Sequence, residues 1–514
     1  MKRRTTFFHE GGANFDPSQL SLSSNALEIR DLHAARQERF TFAIDEVPDE
    51  LRKLLEQYRE LHLRWTSHAP HEAIGPFSSR APAGLYIQVA PRGEDDNGEL
   101  CTALKGAFTD ELHCSTIQTS FTPLECHPQQ TCEKKQLQYY HLLPTLDHFI
   151  SWTQQQICRD NDGECMDLLS TLHAADSLDI DYEEASNTVK VSSYWSTPIS
   201  GPWNEVLEGT QHGADRAEVG VLALQKATQP HKLSVGGFIA TIGEHKELKS
   251  SMFSFASRHH PLPAEATYSA QFLEPTGLHP TLQISIPAAS LHPPDMTCNL
   301  HTYLSLPHSI FPDQYQLKTN DTLSRKSHGW KTVKSVTGEL DLEAPDWTVK
   351  TWGSDVLIEL DIPDEGEDLK AMNVTVPLHL RYLPPAESGF RNISVSWPIV
   401  FWACDGPEER FSPFDRRHLG YDMAFPPDTS FYNLHPRRQT TTGEKGDIIS
   451  ASTPFVETID VPVLRLSDEG GWLDSASVVE NATVLVILVA FGYLVYILNY
   501  TGSRPRATAN KKKD

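Results

Sequence analysis

Thr281-Leu282-Gln283-Ile284-Ser285-Ile286-Pro287 is the stretch on which the fold assignment turns. Apolar and polar side chains alternate along it, and a proline ends it. Period-two alternation puts Leu282, Ile284 and Ile286 on one face of a strand and Gln283 and Ser285 on the other. His301-Thr302-Tyr303-Leu304-Ser305-Leu306-Pro307 repeats the pattern, and Val356 to Ile362, Val374 to Leu380 and Ile393 to Val400 continue it. Each run is short and bounded by Pro, Gly, Asp or Asn, residues that break strands and make turns. The pattern predicts an antiparallel β-sandwich over 276–405, with one wet face per sheet. Cys298 and Cys404 bracket this region and are a candidate disulfide. His379, Arg381 and Tyr382, at the end of the fourth run, are candidate partner contacts. The alternative is that His379 and Arg381 lie on one sheet face and are structural or solvated.

On the N-terminal side, residues 1–260 predict a less regular α+β region. Leu51, Leu54, Leu55, Tyr58, Leu61 and Trp65 recur at three- and four-residue intervals, which predicts one helix from Asp45 to Trp65 packed on a sheet. Pro48 suits its first turn, and Asp49 and Glu50 suit the positive end of its dipole. Pro82 to Pro91 is strand-like, and Arg92 to Gly98 is a charged loop. Residues 100–260 are weakly patterned, with strand-like runs at Thr188 to Tyr194 and Val219 to Leu224. On the C-terminal side, residues 406–480 are rich in Pro, Asp, Arg, Thr and Gly and read as a membrane-proximal connection. The whole is mostly β, with one C-terminal transmembrane helix.

That helix is placed at 481–501. Val484 to Leu498 is continuously apolar or aromatic, and no charged residue lies between Glu480 and Arg504. With its flanks the run reaches the ~20 residues needed to cross hydrocarbon. Asp468, Glu469, Asp474 and Glu480 precede it; Arg504, Arg506, Lys511, Lys512 and Lys513 follow it. Positive flanks stay cytosolic, so the tail 502–514 is expected in the cytosol and the bulk of the chain in the lumen. Lys511 and Lys512, fourth and third from the end, resemble the dilysine retrieval signal of resident endoplasmic-reticulum (ER) membrane proteins. Asn320, Asn373 and Asn392 head Asn-x-Ser/Thr sequons, which suit N-glycosylation of a lumenal domain. Met1-Lys2-Arg3-Arg4 is a positive start without an apolar run after it. The expectation is therefore translocation without a conventional leader. The rival topology, a tail anchor with its bulk in the cytosol, is opposed by the charge distribution.

The 514 residues carry a formal net charge of −24, which argues against nucleic acid as a partner. Six of the eight cysteines lie between Cys101 and Cys165, with no CxxC pair; disulfides and buried free thiols are both compatible with this. No HExxH, GxSxG, Walker-type or GxGxxG motif occurs. Asp160-Asn161-Asp162 and Asp179-Ile180-Asp181 have the spacing with which two carboxylates hold a cation on a diphosphate, but 68 acidic residues produce such triplets by chance. His259, His260 and the scattered histidines lack metal-ligand spacing and are expected mostly at the surface. No catalytic residue, cofactor or metal is expected.

Several segments resemble the PIG-X family, in particular its fungal members, the protease-B-nonderepressible proteins. They are Leu278 to Ile286, Cys298 to Pro307 with Phe311-Pro312-Asp313-Gln314-Tyr315, Asp341-Leu342-Glu343-Ala344-Pro345, Val376 to Tyr382, and Trp397 to Cys404. The fungal likeness extends to Ala34 to Arg39, Glu60 to Trp65, Leu419 to Asp422 and Asp460 to Leu464. The resemblance implies a single-span ER membrane protein without catalytic activity. Its partner would be the multi-spanning mannosyltransferase that adds the first mannose to GPI-anchor precursors, which it would stabilise. A general chaperone-like role for ER clients is the alternative.

Overall fold

The structure is a computed structural model that describes all residues except 10–15, 94–96, 130–135, 159–161, 210–214, 226–231, 363–370, 407–418, 439–452, 466–475 and 503–514. The chain divides into two compact units. One comprises Met1–Arg381 and Ser394–Ile459; the other comprises Tyr382–Ile393 and Asp460–Asp514.

The first unit contains the sandwich. A six-stranded sheet runs in the order His259–His260, Thr429–Asn433, Ile399–Asp405, Asn299–Pro307, Gly353–Leu360, Trp330–Gly338. A five-stranded sheet runs Ile310–Pro312, Met372–Leu380, Thr281–Ile286, Thr267–Phe272, His435–Pro436. The central ladders of both are antiparallel. Strands from outside 276–405 join at the edges, two of them in parallel. Trp330 Nε1 donates to the Thr375 carbonyl at 2.8 Å and Tyr268 Oη to that of Pro398 at 2.6 Å, fastening one sheet to the other.

The alternation expected of Thr281–Ile286 is present: Leu282, Ile284 and Ile286 are buried and their polar neighbours are half-buried. The six-stranded sheet departs from the expectation of one wet face. Gly353–Leu360 is buried at every position, and in Asn299–Pro307 the polar His301, Thr302 and Ser305 are buried with the apolar residues. The second face is covered by the N-terminal region and by Tyr421 and Phe425, which pack on Tyr303, Phe401 and Phe431. Trp352 belongs to the same apolar core as Leu85, Ile87 and Tyr139, and its Nε1 donates to Thr122 Oγ1 at 3.1 Å.

That N-terminal region is built on an eleven-stranded, mainly antiparallel sheet, with Lys2–His9 parallel to Arg216–Gln225. Helices Glu99–Ala107 and Asp147–Gln156 contribute Leu100, Leu104, Phe149 and Ile150 to the core against Leu85, Ile87 and Val89. The helix expected from Asp45 to Trp65 is corrected here. Only Asp49–Leu55 is α-helical, and Tyr58–Thr66 is a strand between Gly84–Pro91 and Ser177–Glu183. The apolar spacing of 58, 61 and 65 fits a helix. Leu61, Leu63 and Trp65 also alternate, and burial of the strand on both faces decides between the two readings. His62 and Arg64, on the other face, meet Asp181 and Asp179 across the ladder at 2.9 and 2.5 Å.

In the second unit the Ala386 amide donates to Leu464 O at 3.1 Å and the Val463 amide to Gly389 O at 2.9 Å. This unit also holds the helix Ala476–Gly502. Among the described residues, Ser477–Tyr500 is apolar and none of its side chains is buried in protein. Its 24 residues span about 36 Å at 1.5 Å per residue, enough for a hydrocarbon core of about 30 Å. One helix thus fits a single-pass membrane protein.

Candidate partner-binding site

Arg381 follows the strand Met372–Leu380, whose Val374, Val376 and Leu378 face the core. Its amide donates to Ser309 O at 2.9 Å, and its guanidinium turns inward. Nε donates to His308 O at 2.8 Å, Nη1 to Asp341 O and Ala344 O at 2.6 and 2.9 Å, and Nη2 to Glu339 O at 3.0 Å. The cation lies 4.2 Å from the Phe311 ring centroid. Burial lowers the guanidinium pKa, against the carboxylates of Glu339, Asp341 and Asp346, which raise it. At 2 % exposure Arg381 is not available to a partner, and its expected role as a contact is corrected. An Arg before a turn reads as surface in sequence, but its fork of donors matches a loop that curls its carbonyls inward.

His379 Nε2 lies 2.8 Å from Asp313 Oδ2, and its ring stacks on Phe311. Asp313 also caps the helix Gln314–Leu317, accepting from the amides of Tyr315 and Gln316 at 3.0 Å each. Burial raises the Asp313 carboxyl, but the hydrogen bonds from His379 and Gln316 outweigh it and hold the pKa low. Tyr382 is exposed and belongs to the second unit.

The carbonyls gathered by Arg381 belong to the loop Glu339-Leu340-Asp341-Leu342-Glu343-Ala344-Pro345-Asp346-Trp347. Its base is narrow: Gly338 has φ +105°, and a Cβ there would collide with the Gly353 carbonyl oxygen. Asp346 Oδ1 lies 2.7 Å from His308 Nδ1, and His308 stacks on His113 with centroids 4.5 Å apart. His113 Nε2 in turn reaches Val349 O at 2.7 Å. On this fastened loop Leu342 and Trp347 are 44 % and 62 % exposed. The residues were visible in sequence; that they stand outward from a clamped loop was not.

Cys298 and Cys404 are joined, as are Cys101–Cys114 and Cys158–Cys165. Asn320, Asn373 and Asn392 are all exposed; Asn373 Oδ1 accepts from Ser285 Oγ at 2.8 Å. Lys511 and Lys512 lie outside the described residues. Asp179 pairs with Arg64 and Asp181 lies against His62, as given above. Asp160 lies outside the described residues, and Asp162 caps the helix Gly163–Ser170. Among the described residues no three His, Cys, Asp or Glu side chains gather as a metal site.

His62, His260 and His301 are buried, and burial lowers His301 to about 4. His259 Nε2 lies 2.8 Å from Asp422 Oδ2 at the edge of a cavity of about 520 Å³, where Glu72 bridges Arg80 and His435 at 3.5 and 3.3 Å. A buried polar network lies on the covered face of the six-stranded sheet. Ser305 Oγ donates to Asp355 Oδ1 at 2.6 Å and Gln138 Nε2 to Oδ2 at 2.9 Å, while Tyr86 Oη donates to Gln138. Burial pushes the Asp355 carboxyl up to about 7, against hydrogen bonds from Ser305, Tyr303 and Gln138.

The family PIG-X / PBN1 matches residues 275–499, from the first sandwich strands into the apolar helix. "Protein pbn1" of Emericella nidulans is 41 % identical over 100 % of this chain and 99 % of its own length. The chain belongs to the PIG-X / PBN1 family. "Protein pbn1" of Aspergillus oryzae is 39 % identical over 100 % of this chain and 99 % of its own. "Protein PBN1" of Saccharomyces cerevisiae is 26 % identical over 54 % of this chain and 58 % of its own. Similarity to the Emericella and Aspergillus members thus covers the N-terminal sheet as well as the sandwich.

Proposed function

We propose that this chain is a non-catalytic, stabilising subunit of the ER mannosyltransferase that adds the first mannose to GPI-anchor precursors. Membership of the PIG-X / PBN1 family carries this reading. The architecture supports it: strand-rich layers with charged groups paired inward, followed by one apolar helix, suit a partner that binds rather than one that reacts. In this reading the bulk of the chain is lumenal and the C-terminus is cytosolic, as its basic residues favour. The subunit binds the folded state of its multi-spanning catalytic partner and not the unfolded state, so it raises that partner's stability by mass action. Depleting this chain in its own cells is expected to lower the steady-state level of the catalytic subunit and to accumulate unmannosylated glucosaminyl-phosphatidylinositol, both reversed on re-expression. An unchanged catalytic subunit would overturn the reading. A fall that extends equally to unrelated ER membrane proteins would replace it with a general folding factor.

A further inference from the structure

We propose that the loop Glu339–Trp347 is a preformed docking surface for a basic, apolar segment of the partner protein. The identity of that partner rests on the accessory-subunit reading; the chemistry of the surface stands on the loop itself.

A tryptophan that is 62 % exposed and a leucine that is 44 % exposed lie five residues apart on a short loop. Tryptophan is enriched at protein interfaces, and apolar groups within a polar rim are their usual anatomy. The immobilisation is specific. Arg381 holds the carbonyls of Glu339, Asp341 and Ala344, Asp346 lies against His308 at 2.7 Å, and Gly338 lets the base close. Binding to such a loop loses little conformational entropy, because the ordering is already done.

Charge selects the occupant. Glu339, Asp341, Glu343 and Asp346 put four carboxylates within the loop; the buried Arg381 cation beneath it offsets part of that charge, and Lys350 follows it. Asp341 and Glu343 are exposed, and Asp341 Oδ1 accepts from the Glu343 amide at 2.9 Å. Its carboxylates make the loop a poor fit for an anionic lipid surface. A second copy of this chain docking isologously would set these carboxylates against their equivalents. The complement is a segment with Arg or Lys beside apolar residues. Its cation lies over the Trp347 indole and hydrogen-bonds to Asp341 or Glu343, and its apolar side chain covers Leu342. The net charge of −24 steers the same kind of partner.

The test uses the full-length chain purified in detergent and three variants, Trp347→Ala, Asp341→Asn/Glu343→Asn and Leu342→Ala. All sit on exposed positions, so their melting temperatures should match the wild type. The probe is an octapeptide alternating Arg and Leu, with a Glu–Leu octapeptide as control. Each variant is expected to bind the basic peptide about tenfold more weakly, and the acidic peptide should not bind. The same variants expressed in cells should lose co-purification of the catalytic subunit. Basic-peptide binding that is equal in wild type and variants overturns the docking surface. Loop-dependent peptide binding without co-purification in the wild type leaves the surface standing and removes the partner assigned under the proposed function.

Discussion

Arg381 holds its charge inside the protein and uses it to shape a loop. Its four side-chain hydrogen bonds end on four different carbonyls, and its flat face lies against Phe311. Only a planar fork of donors can serve these acceptors at once. Replacing Arg381 by Met keeps much of the apolar volume and leaves those carbonyls without their donor. The expected cost is on the order of 3–5 kcal/mol, read as a lower midpoint in urea unfolding of the full-length chain. Arg381→Lys should recover only a minor part, because one ammonium cannot span all four carbonyls. A Lys variant as stable as wild type would show that charge alone, and not the fork, fastens the loop. In sequence Arg381 and His379 looked like a pair with one role. The structure separates them, since His379 is fixed by the cap residue Asp313 and Arg381 by a distant loop.

Among the elements, the strands of the five-stranded sheet were legible because one of their faces is less covered. Alternation in Thr281–Ile286 survives as a contrast between buried and half-buried positions. In Tyr58–Thr66 it did not, because the partners of His62 and Arg64 come from Ser177–Glu183, more than a hundred residues away. Helix Ala476–Gly502 was legible for the opposite reason: it needs no partner in the chain to explain its composition. The proposed orientation of that helix makes a prediction for the elements that carry the sequons. Asn320, Asn373 and Asn392 are exposed and all precede the apolar helix in the chain. The full-length protein is expected to shift on endoglycosidase H treatment, and the Asn→Gln triple variant to lose the shift. Exposure of the large unit to protease added outside sealed microsomes would instead place it in the cytosol.

At the scale of the molecule, the contact between the N-terminal sheet and the sandwich contains a carboxyl whose neighbours come from both. Asp355 belongs to the sandwich and Gln138 to the N-terminal sheet. Its folded pKa of about 7 stands above the ordinary 3.8. A raised carboxyl pKa gives stability that is complete below pH 4 and lost as pH rises through 7. Three pKa units correspond to roughly 4 kcal/mol. Asp355→Asn resembles the protonated acid in shape and hydrogen-bonding capacity. The variant is expected to melt near the wild type at pH 4 and above it at pH 7.5. Equal melting temperatures at both pH values would show that the carboxyl is not held neutral by this contact.

Period-two alternation, strand breakers, the uncharged apolar run and the charges beside it are local properties. From them the sequence alone determined a mostly β protein with a sandwich and one apolar helix of membrane-spanning length. Which polar side chains are buried was decided only by tertiary structure. In sequence Thr302, Ser305 and Asp355 look like solvated residues of half-wet strands, and His62 and Arg64 fall in a stretch that reads as a helix. They are buried because a second layer from elsewhere in the chain covers them and brings their partners. A side chain's burial depends on what packs against its face, and no window along the chain contains that information.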